Sequence, residues 1–340
     1  MINEKKVYHN ISVLKIIACI MITILHIIGN DGGLIQRCIY LIGSFGIPMF
    51  FAVNGYLLYD KDFAFSYYKK KIVKCISFFL LWTVTIGTAK MLITRKPMQL
   101  VKVVLGAAVA KDVLYHLWFL ITLMLLYTIL FIIQHSLDKR KKRIMDLVST
   151  VPLVVILIVM NILFVLQLIC SKLGLSEIRD LIPAPFRLIT FGGFFYLGMG
   201  VRRYEDTILT KCSTWISVLV FAISYAAICL IMWMTGVEWA SSYYSSIFVI
   251  LGCLALFVIC TKGVDHERYA GAIARLAAAT TGIWIIHPLA LACFSKLLSM
   301  AGINFSLIIR IVALVIIDVG CFAVVILMQK IKYIRKYVAF

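Results

Sequence analysis

Long apolar runs recur along the whole chain, separated by short polar segments. Each run has about 20 residues, the length at which an α-helix crosses the hydrocarbon core of a bilayer. The runs predict ten membrane-spanning helices, at residues 11–29, 39–59, 75–94, 113–134, 147–170, 187–201, 214–235, 243–261, 277–299 and 306–328. The predicted fold class is therefore all-α, a polytopic transmembrane helix bundle formed by one domain over residues 1–340.

The composition agrees with this pattern and excludes an ordinary soluble domain. Of the 340 residues, 63% are apolar and 14% are charged, whereas soluble domains are about 25% charged. The first apolar run follows Lys5 and Lys6, as a signal peptide might, but it is long and contains Lys15. It also lacks a small-residue cleavage site, so we interpret it as a retained helix.

The distribution of charge predicts the orientation of the helices. With the N-terminus in the cytoplasm, most lysines and arginines fall in inner segments, whereas the outer segments hold fewer. The positive-inside rule then places both termini in the cytoplasm. The net charge of +19 is explained without a nucleic-acid partner. Representative inner cations are Lys69, Lys70, Lys139 to Arg143, Arg202 and Arg203, and outer cations include Arg37, Lys172 and Arg179.

The cysteine pattern predicts no metal site and no bound cofactor. The ten cysteines are scattered, mostly inside apolar runs, without a CxxC pair or a Cys/His cluster at zinc spacing. Such residues pack as small apolar side chains. The chain also contains no P-loop, HExxH or GxSxG motif, so those classes of chemistry are not indicated.

Lys15 and His26 are the leading catalytic candidates, because ionisable residues inside a membrane span are costly and mark functional sites. Eleven residues at about 100° each place both side chains on one helix face, roughly 16 Å apart along the axis. His26 can take and return a proton near neutral pH. The structural alternatives are a bond from His26 to a neighbouring helix and a Lys15 side chain that reaches the membrane surface.

Lys71 and Lys74 are candidate donor-binding residues at the cytoplasmic boundary of the third span. Positions i and i+3 share a helix face, so their ammonium groups converge and would suit a polyphosphate. Positive-inside topology alone also explains them.

Seven further residues are possible members of a substrate cavity. Asn54 and Tyr56 follow Pro48, which is expected to kink the second span. Asp318 lies deep in the tenth span and needs a raised pKa or a partner, either a cation or an imidazole that it orients. His287 precedes Pro288 and is expected to compensate for the broken backbone bond. The full set is Asn54, Tyr56, His116, Trp118, Arg187, His287 and Asp318.

Two loops contain features that the ten predicted spans do not include. The loop from Arg95 to Asp112 contains the apolar piece Leu100 to Ala110, which is too short to span and is expected to lie in the interface or to re-enter. The outer segment Ser171 to Phe186, with Pro183 and Pro185, is a second place for an extracytoplasmic substrate.

Together these residues resemble the acyltransferase 3 family of integral membrane acyltransferases over almost the whole chain. The first helix resembles the family's pattern of a basic residue, ten intervening residues and histidine. Gly46 to Leu58 resembles its second-helix segment, with Asn54 where serine is usual, and Lys71 and Lys74 stand where arginines are common. The segments His116–Leu120 and Gly282–Pro288 are also similar.

The resemblance implies transfer of an acyl group, usually acetyl, from cytosolic acyl-CoA to a carbohydrate hydroxyl presented outside, with a glycan or another hydroxyl compound as acceptor. It implies that His26 and Lys15 are essential and that Lys71 and Lys74 handle the donor. It also implies a multi-pass protein of the cell membrane, most simply a bacterial plasma membrane. Direct transfer and an acyl-histidine intermediate both stay open, as do two other classes of function: a transporter of an amino acid, lipid-linked sugar or polysaccharide, and a sensor.

Overall fold

A computed structural model describes residues 4–61, 63–94, 100–108, 115–136, 150–175, 181–182, 184–262, 269–335 and 338. Within these ranges all regular structure is helical, which confirms the predicted all-α, polytopic bundle. Several predicted features lie outside the described residues: Lys139 to Arg143, Arg179 and Pro183.

The helices follow the apolar runs in order. They are α1 (Glu4–Ile28), α2 (Leu34–Leu41), α3 (Gly46–Leu58), α4 (Phe65–Thr94), α5 (Leu100–Ala108), α6 (Trp118–Ser136), α7 (Thr150–Lys172), α8 (Leu188–Arg203), α9 (Glu205–Lys211), α10 (Thr214–Thr235), α11 (Ile247–Lys262), α12 (Ala270–Met300), α13 (Leu307–Lys330) and α14 (Lys332–Arg335). Short 3-10 helices cover Ile42–Phe45, Tyr115–Leu117, Ala184–Phe186 and Ala240–Ser242.

Each of the ten predicted spans has a helical counterpart among the described residues. Eight helical segments are long and apolar enough to cross a membrane, and α11 is apolar but shorter. The counterpart of the predicted span 187–201 is α8, with 16 residues. Helix α4 begins ten residues before the predicted start at residue 75, because its first turns are basic and helical without being apolar.

The second span differs from its prediction. It runs from Leu34 to Leu58 but is divided by the 3-10 turn Ile42–Phe45, after which α3 begins at Gly46. Pro48 lies in the first turn of α3, directly after the 3-10 turn that divides the span. The structure thus places the break just before Pro48, and the expected kink at this proline stays a prediction.

Helices α3 and α8 are held together by glycines. A Cβ atom on Gly55 would collide with the carbonyl group of Phe195, and one on Gly198 would collide with the carbonyl group of Ala52. Small residues at such positions let two helix backbones touch, which is a main source of helix association in membranes. This contact fixes the height and rotation of α3, which carries Phe50 and Asn54.

Helix α1 lies between two clusters of buried side chains. Ile11, Leu14 and Ala18 belong to a cluster with α3, α8 and α11. Cys19 and Ile22 belong to a cluster with α4, α12 and α13. The side chains that α1 presents between these two clusters therefore point into the seam of the bundle.

The apolar piece predicted at Leu100 to Ala110 forms the nine-residue helix α5. Val103 and Ala107 are buried, whereas Val101 and Leu105 are exposed. At about 1.5 Å per residue, α5 is too short to span a bilayer.

Candidate active site

A cavity lies at the seam beside α1, with about 800 Å³ of empty space counted to its open end. Its walls come from α1, α3, α12 and the start of α6. The lining side chains are Lys15, Ile22, His26, Ile47, Phe50, Asn54, His116, Trp118, Phe119, Leu120, Thr280, Thr281 and Trp284.

Lys15 and His26 both line this cavity. Both lie in the single helix α1, so their spacing of roughly 16 Å follows from helix geometry. The cavity therefore runs along α1, from the Lys15 ammonium to the His26 imidazole. We call these its inner and outer ends, after the orientation that the positive-inside rule predicts. The structure brings the two candidates together as the spacing predicts, and their catalytic roles stay a prediction.

Lys71 and Lys74 lie next to the inner end of the cavity without lining it. Both are close enough to Lys15 to act on it electrostatically. The Lys71 ammonium lies 5.6 Å from the ring centroid of Tyr67 and 5.8 Å from that of Tyr127, within the range of cation–π contacts. Three cations thus converge at the inner end, a placement suited to a polyphosphate.

Asn54 connects this cationic end to the cavity. Its side-chain oxygen accepts a 3.4 Å hydrogen bond from the Tyr127 hydroxyl, whose ring lies near Lys71. Its amide nitrogen donates to the carbonyl oxygen of Phe50 at 2.8 Å. One of the two amide hydrogens is therefore used within α3.

Three imidazoles meet at the outer end of the cavity. The ring centroid of His287 lies 5.2 Å from that of His26 and 6.2 Å from that of His116. His116 also meets the ring of Trp284 edge-on at 5.4 Å. The cluster comes from three different segments, α1, the turn before α6 and α12. Sequence spacing alone does not predict such a grouping.

His287 is tied to the backbone of its own helix. Its Nδ1 lies 3.0 Å from the carbonyl oxygen of Ile283, so Nδ1 carries the proton that is donated. His287 also interacts with the backbone of Trp284, whose carbonyl lacks a partner at Pro288. This confirms the expected compensation at Pro288. The bond also fixes the tautomer and leaves the Nε2 atom available as an acceptor beside His26.

Tyr56 does not line this cavity, and its predicted place in a substrate cavity stays a prediction. Its hydroxyl donates a 2.8 Å hydrogen bond to Glu205 and accepts one from Arg202 at 3.4 Å. Arg202 in turn pairs with Asp60 at 2.6 Å and with Glu205. This network ties α3 to the inner end of α8. It is a structural contact at the membrane boundary, remote from His26.

Asp318 also lies outside the cavity. Its Oδ2 atom accepts a 2.9 Å hydrogen bond from the Thr23 hydroxyl. The expected partners, a cation or an imidazole, are therefore replaced by a hydroxyl of α1. Arg310 does not meet Asp318 either, because its guanidinium donates to Asp31 and to the carbonyl oxygen of Ile28, both at 2.6 Å.

Arg187 lines a different cavity, on the outer side of α7 and α8. Its Nε atom donates to the carbonyl oxygen of Ile182 at 3.0 Å. The structure thus separates Arg187 from the cavity of His26, although both lie toward the outer face.

Among the lining residues of the first cavity that the sequence did not single out are three from α12: Thr280, Thr281 and Trp284. The spacing of Thr280, Trp284 and His287 places them on one face of α12. A search for polar and aromatic residues at this spacing would have found them.

In the described part of the chain, no group of three or more His, Cys, Asp or Glu side chains is placed to hold a metal ion. The imidazole cluster does not form such a group, because its rings are 5.2 and 6.2 Å apart. The absence of a metal stays a prediction.

A family model described as an acyltransferase domain matches residues 8–329, nearly the whole chain. It covers α1, which carries Lys15 and His26, and all the helices that line the cavity. No curated protein and no solved structure matches the chain.

Proposed function

The chain belongs to the acyltransferase 3 family. We propose that it transfers an acyl group, with acetyl as the first candidate, from cytosolic acyl-CoA to a hydroxyl of an extracytoplasmic carbohydrate or cell-envelope glycan. As a member of this family with eight candidate membrane spans, it is a multi-pass membrane acyltransferase. We place it in the cell membrane, in the simplest case the bacterial plasma membrane.

The observation that carries the proposal is one cavity that contains both Lys15 and His26. A cytosolic donor and an external acceptor must meet inside the bilayer, and this requires a passage through the bundle. The pantetheine arm of acyl-CoA is long and thin, so it suits a passage along α1. Its thioester would reach His26 while its phosphates stay at the inner end.

The lysines at the inner end provide the positive charge that would bind the phosphates of the acyl-CoA donor. Ammonium groups bind phosphates as point charges without the bidentate geometry of arginine. Lys15, Lys71 and Lys74 act on one another electrostatically, so a polyanion placed among them would relieve their mutual repulsion.

His26 is the proposed general base. Neutral imidazole takes the proton of the acceptor hydroxyl, and the oxygen attacks the thioester carbonyl carbon. The new C–O bond forms, the C–S bond breaks, and the proton passes from His26 to the departing CoA thiolate. In the alternative route, His26 itself attacks the thioester and then passes the acyl group to the acceptor.

The structure gives little support to the transporter alternative. In that hypothesis Lys15, His26, Arg310 and Asp318 line a translocation path through the membrane. Arg310 instead bonds to Asp31 and Ile28, and Asp318 bonds to Thr23. Neither of the two residues lines the cavity that holds His26.

The test uses the full-length protein in lipid nanodiscs with acetyl-CoA labelled in the acetyl group. We expect acetyl consumption, through transfer to added glycan or slow thioester hydrolysis, and we expect His26→Gln to lower it by about 10²-fold or more. His135→Gln is the matched control, because His135 is exposed at the end of α6 and bonds to Phe131. Wild-type consumption by His26→Gln would refute the mechanism. Sugar flux into vesicles without acetyl consumption would indicate a transporter.

A further inference from the structure

A second cavity opens at the outer ends of α7 and α8, with about 590 Å³ of empty space. Its floor is apolar, but its polar lining is unusual for a surface near lipid. The polar groups are one guanidinium, one amide and four hydroxyls, from Arg187, Gln167, Thr190, Ser241, Ser242 and Ser245.

Three of these polar residues are deeply buried: Gln167 is 5% exposed, Ser242 4% and Thr190 8%. Removing a hydroxyl or an amide from water is unfavourable unless it gains a hydrogen-bond partner. Thr190 and Ser245 share a 2.7 Å hydrogen bond across the pocket wall, which joins α8 to the segment before α11. Two of the four hydroxyls are therefore held in a fixed arrangement.

The pocket is also electropositive. Arg187 lines it, and its Nε bond to the carbonyl oxygen of Ile182 fixes the plane of the guanidinium. Arg187 is the N-cap residue of α8, and no side chain caps this helix end. The backbone N–H groups at a helix N-terminus favour an anion, and here they add to the charge of the guanidinium.

The second cavity is one aromatic layer from the first. Trp118 lines the first cavity, and its ring lies 4.9 Å from that of Phe191. Thr190, the neighbour of Phe191 in the chain, lines the second cavity. Phe51 stacks on Phe191 at 4.7 Å and belongs to the same aromatic layer. By the orientation that the positive-inside rule gives, both His26 and Arg187 lie toward the outer face.

We propose that the second cavity binds the acceptor through an anionic sugar, with Arg187 and the start of α8 holding its phosphate or carboxylate and the serine hydroxyls and Gln167 contacting its hydroxyl groups. This inference rests on the proposed function and narrows its acceptor to an anionic glycan. Guanidinium groups suit both anions because their fork of N–H donors matches the oxygen pairs of each.

The test measures binding to the full-length protein by calorimetry, with glucose 1-phosphate, glucuronate, glucose and inorganic phosphate as probes. We expect at least one anionic sugar to bind more tightly than glucose and than inorganic phosphate. The preferred anionic sugar identifies whether phosphate or carboxylate is recognised. Equal binding of glucose, or equal binding of inorganic phosphate, would overturn the proposal.

Arg187→Gln should weaken binding of the preferred anionic sugar by about tenfold or more, the usual effect of losing a hydrogen bond to a charged group. Arg37→Gln is the matched control, because Arg37 pairs with Glu238 outside the pocket and should leave the binding unchanged. Ser242→Ala provides a second variant if Arg187→Gln does not fold, and it should weaken binding of the same sugar severalfold. Unchanged binding in the folded pocket variants would refute the inference.

The acetyl-CoA assay separates this inference from the proposed function. If the wild-type protein consumes acetyl-CoA but shows no Arg187-dependent binding of anionic sugars, the pocket proposal alone fails. If it binds these sugars but consumes no acetyl-CoA, the acyltransferase mechanism fails and the pocket remains a binding site.

Discussion

Gly198→Ala tests whether the close contact of α3 and α8 positions the residues of the first cavity, which contains Lys15 and His26. A Cβ atom at this position would lie 2.6 Å from the carbonyl carbon of Ala52 and 2.9 Å from the backbone nitrogen of Tyr56. Ordinary contact between carbon atoms needs about 3.5 Å, so α3 and α8 must separate by about 1 Å. The obstacle is backbone, which cannot rotate away as a side chain can.

The expected cost has two parts. Overpacking a well-packed interface lowers the free energy of unfolding by about 1–3 kcal/mol. The displaced α3 also carries Phe50 and Asn54, which line the cavity. A misplacement of about 1 Å in a catalytic site lowers the rate by about 10²-fold, so activity should fall further than stability.

The assay compares thermal unfolding and acetyl-CoA turnover of Gly198→Ala with those of Gly192→Ala. Gly192 is the control because it lies in the same helix, and its added Cβ would meet only the end of the Leu126 side chain, at 3.3 Å. We expect Gly192→Ala to resemble the wild type in both measurements. Wild-type turnover and wild-type Tm in Gly198→Ala would refute the close contact of α3 and α8.

Two further predictions concern the ends of α1. Lys71→Gln should raise the KM for acetyl-CoA severalfold and weaken the dependence of this KM on salt, because a charge near Lys15 is lost and salt screens the attraction between charges. Steady-state kinetics at low and high salt will measure both effects, with Lys69→Gln as the control because Lys69 is exposed. An equal change of KM in both variants would contradict the prediction. Arg310→Gln should lower the free energy of unfolding by about 1–3 kcal/mol, because the Ile28 carbonyl and Asp31 lose a charged partner. Thermal unfolding will measure this loss of stability, and an unchanged Tm would show that these bonds do not stabilise the end of α1.

The helices were predictable because their signal is local. A run of apolar residues needs no partner to indicate a span, and all ten runs correspond to helices. The division of the second span at Ile42–Phe45 was not predictable in this way. A Cβ on Gly43 would meet the carbonyl oxygen of Met21 at 2.8 Å, so the path of the chain there depends on close packing against α1.

The candidate site was predictable only along one helix. Lys15 and His26 share a cavity because their relation is set by helix geometry alone. Tyr56, Asp318 and Arg187 were placed by depth in the membrane, which does not tell which neighbour a side chain faces. Tyr56 meets Glu205, and Asp318 meets Thr23, through packing between distant helices.

The position of α1 between two clusters has a consequence for how the protein is made. Helix α1 leaves the ribosome before α12 and α13, which pack against it. Until they arrive, the half of the seam that contains Thr280 and Trp284 does not exist. A nascent or prematurely terminated chain therefore cannot close the cavity, and under the proposed function such unfinished molecules would not consume acyl-CoA.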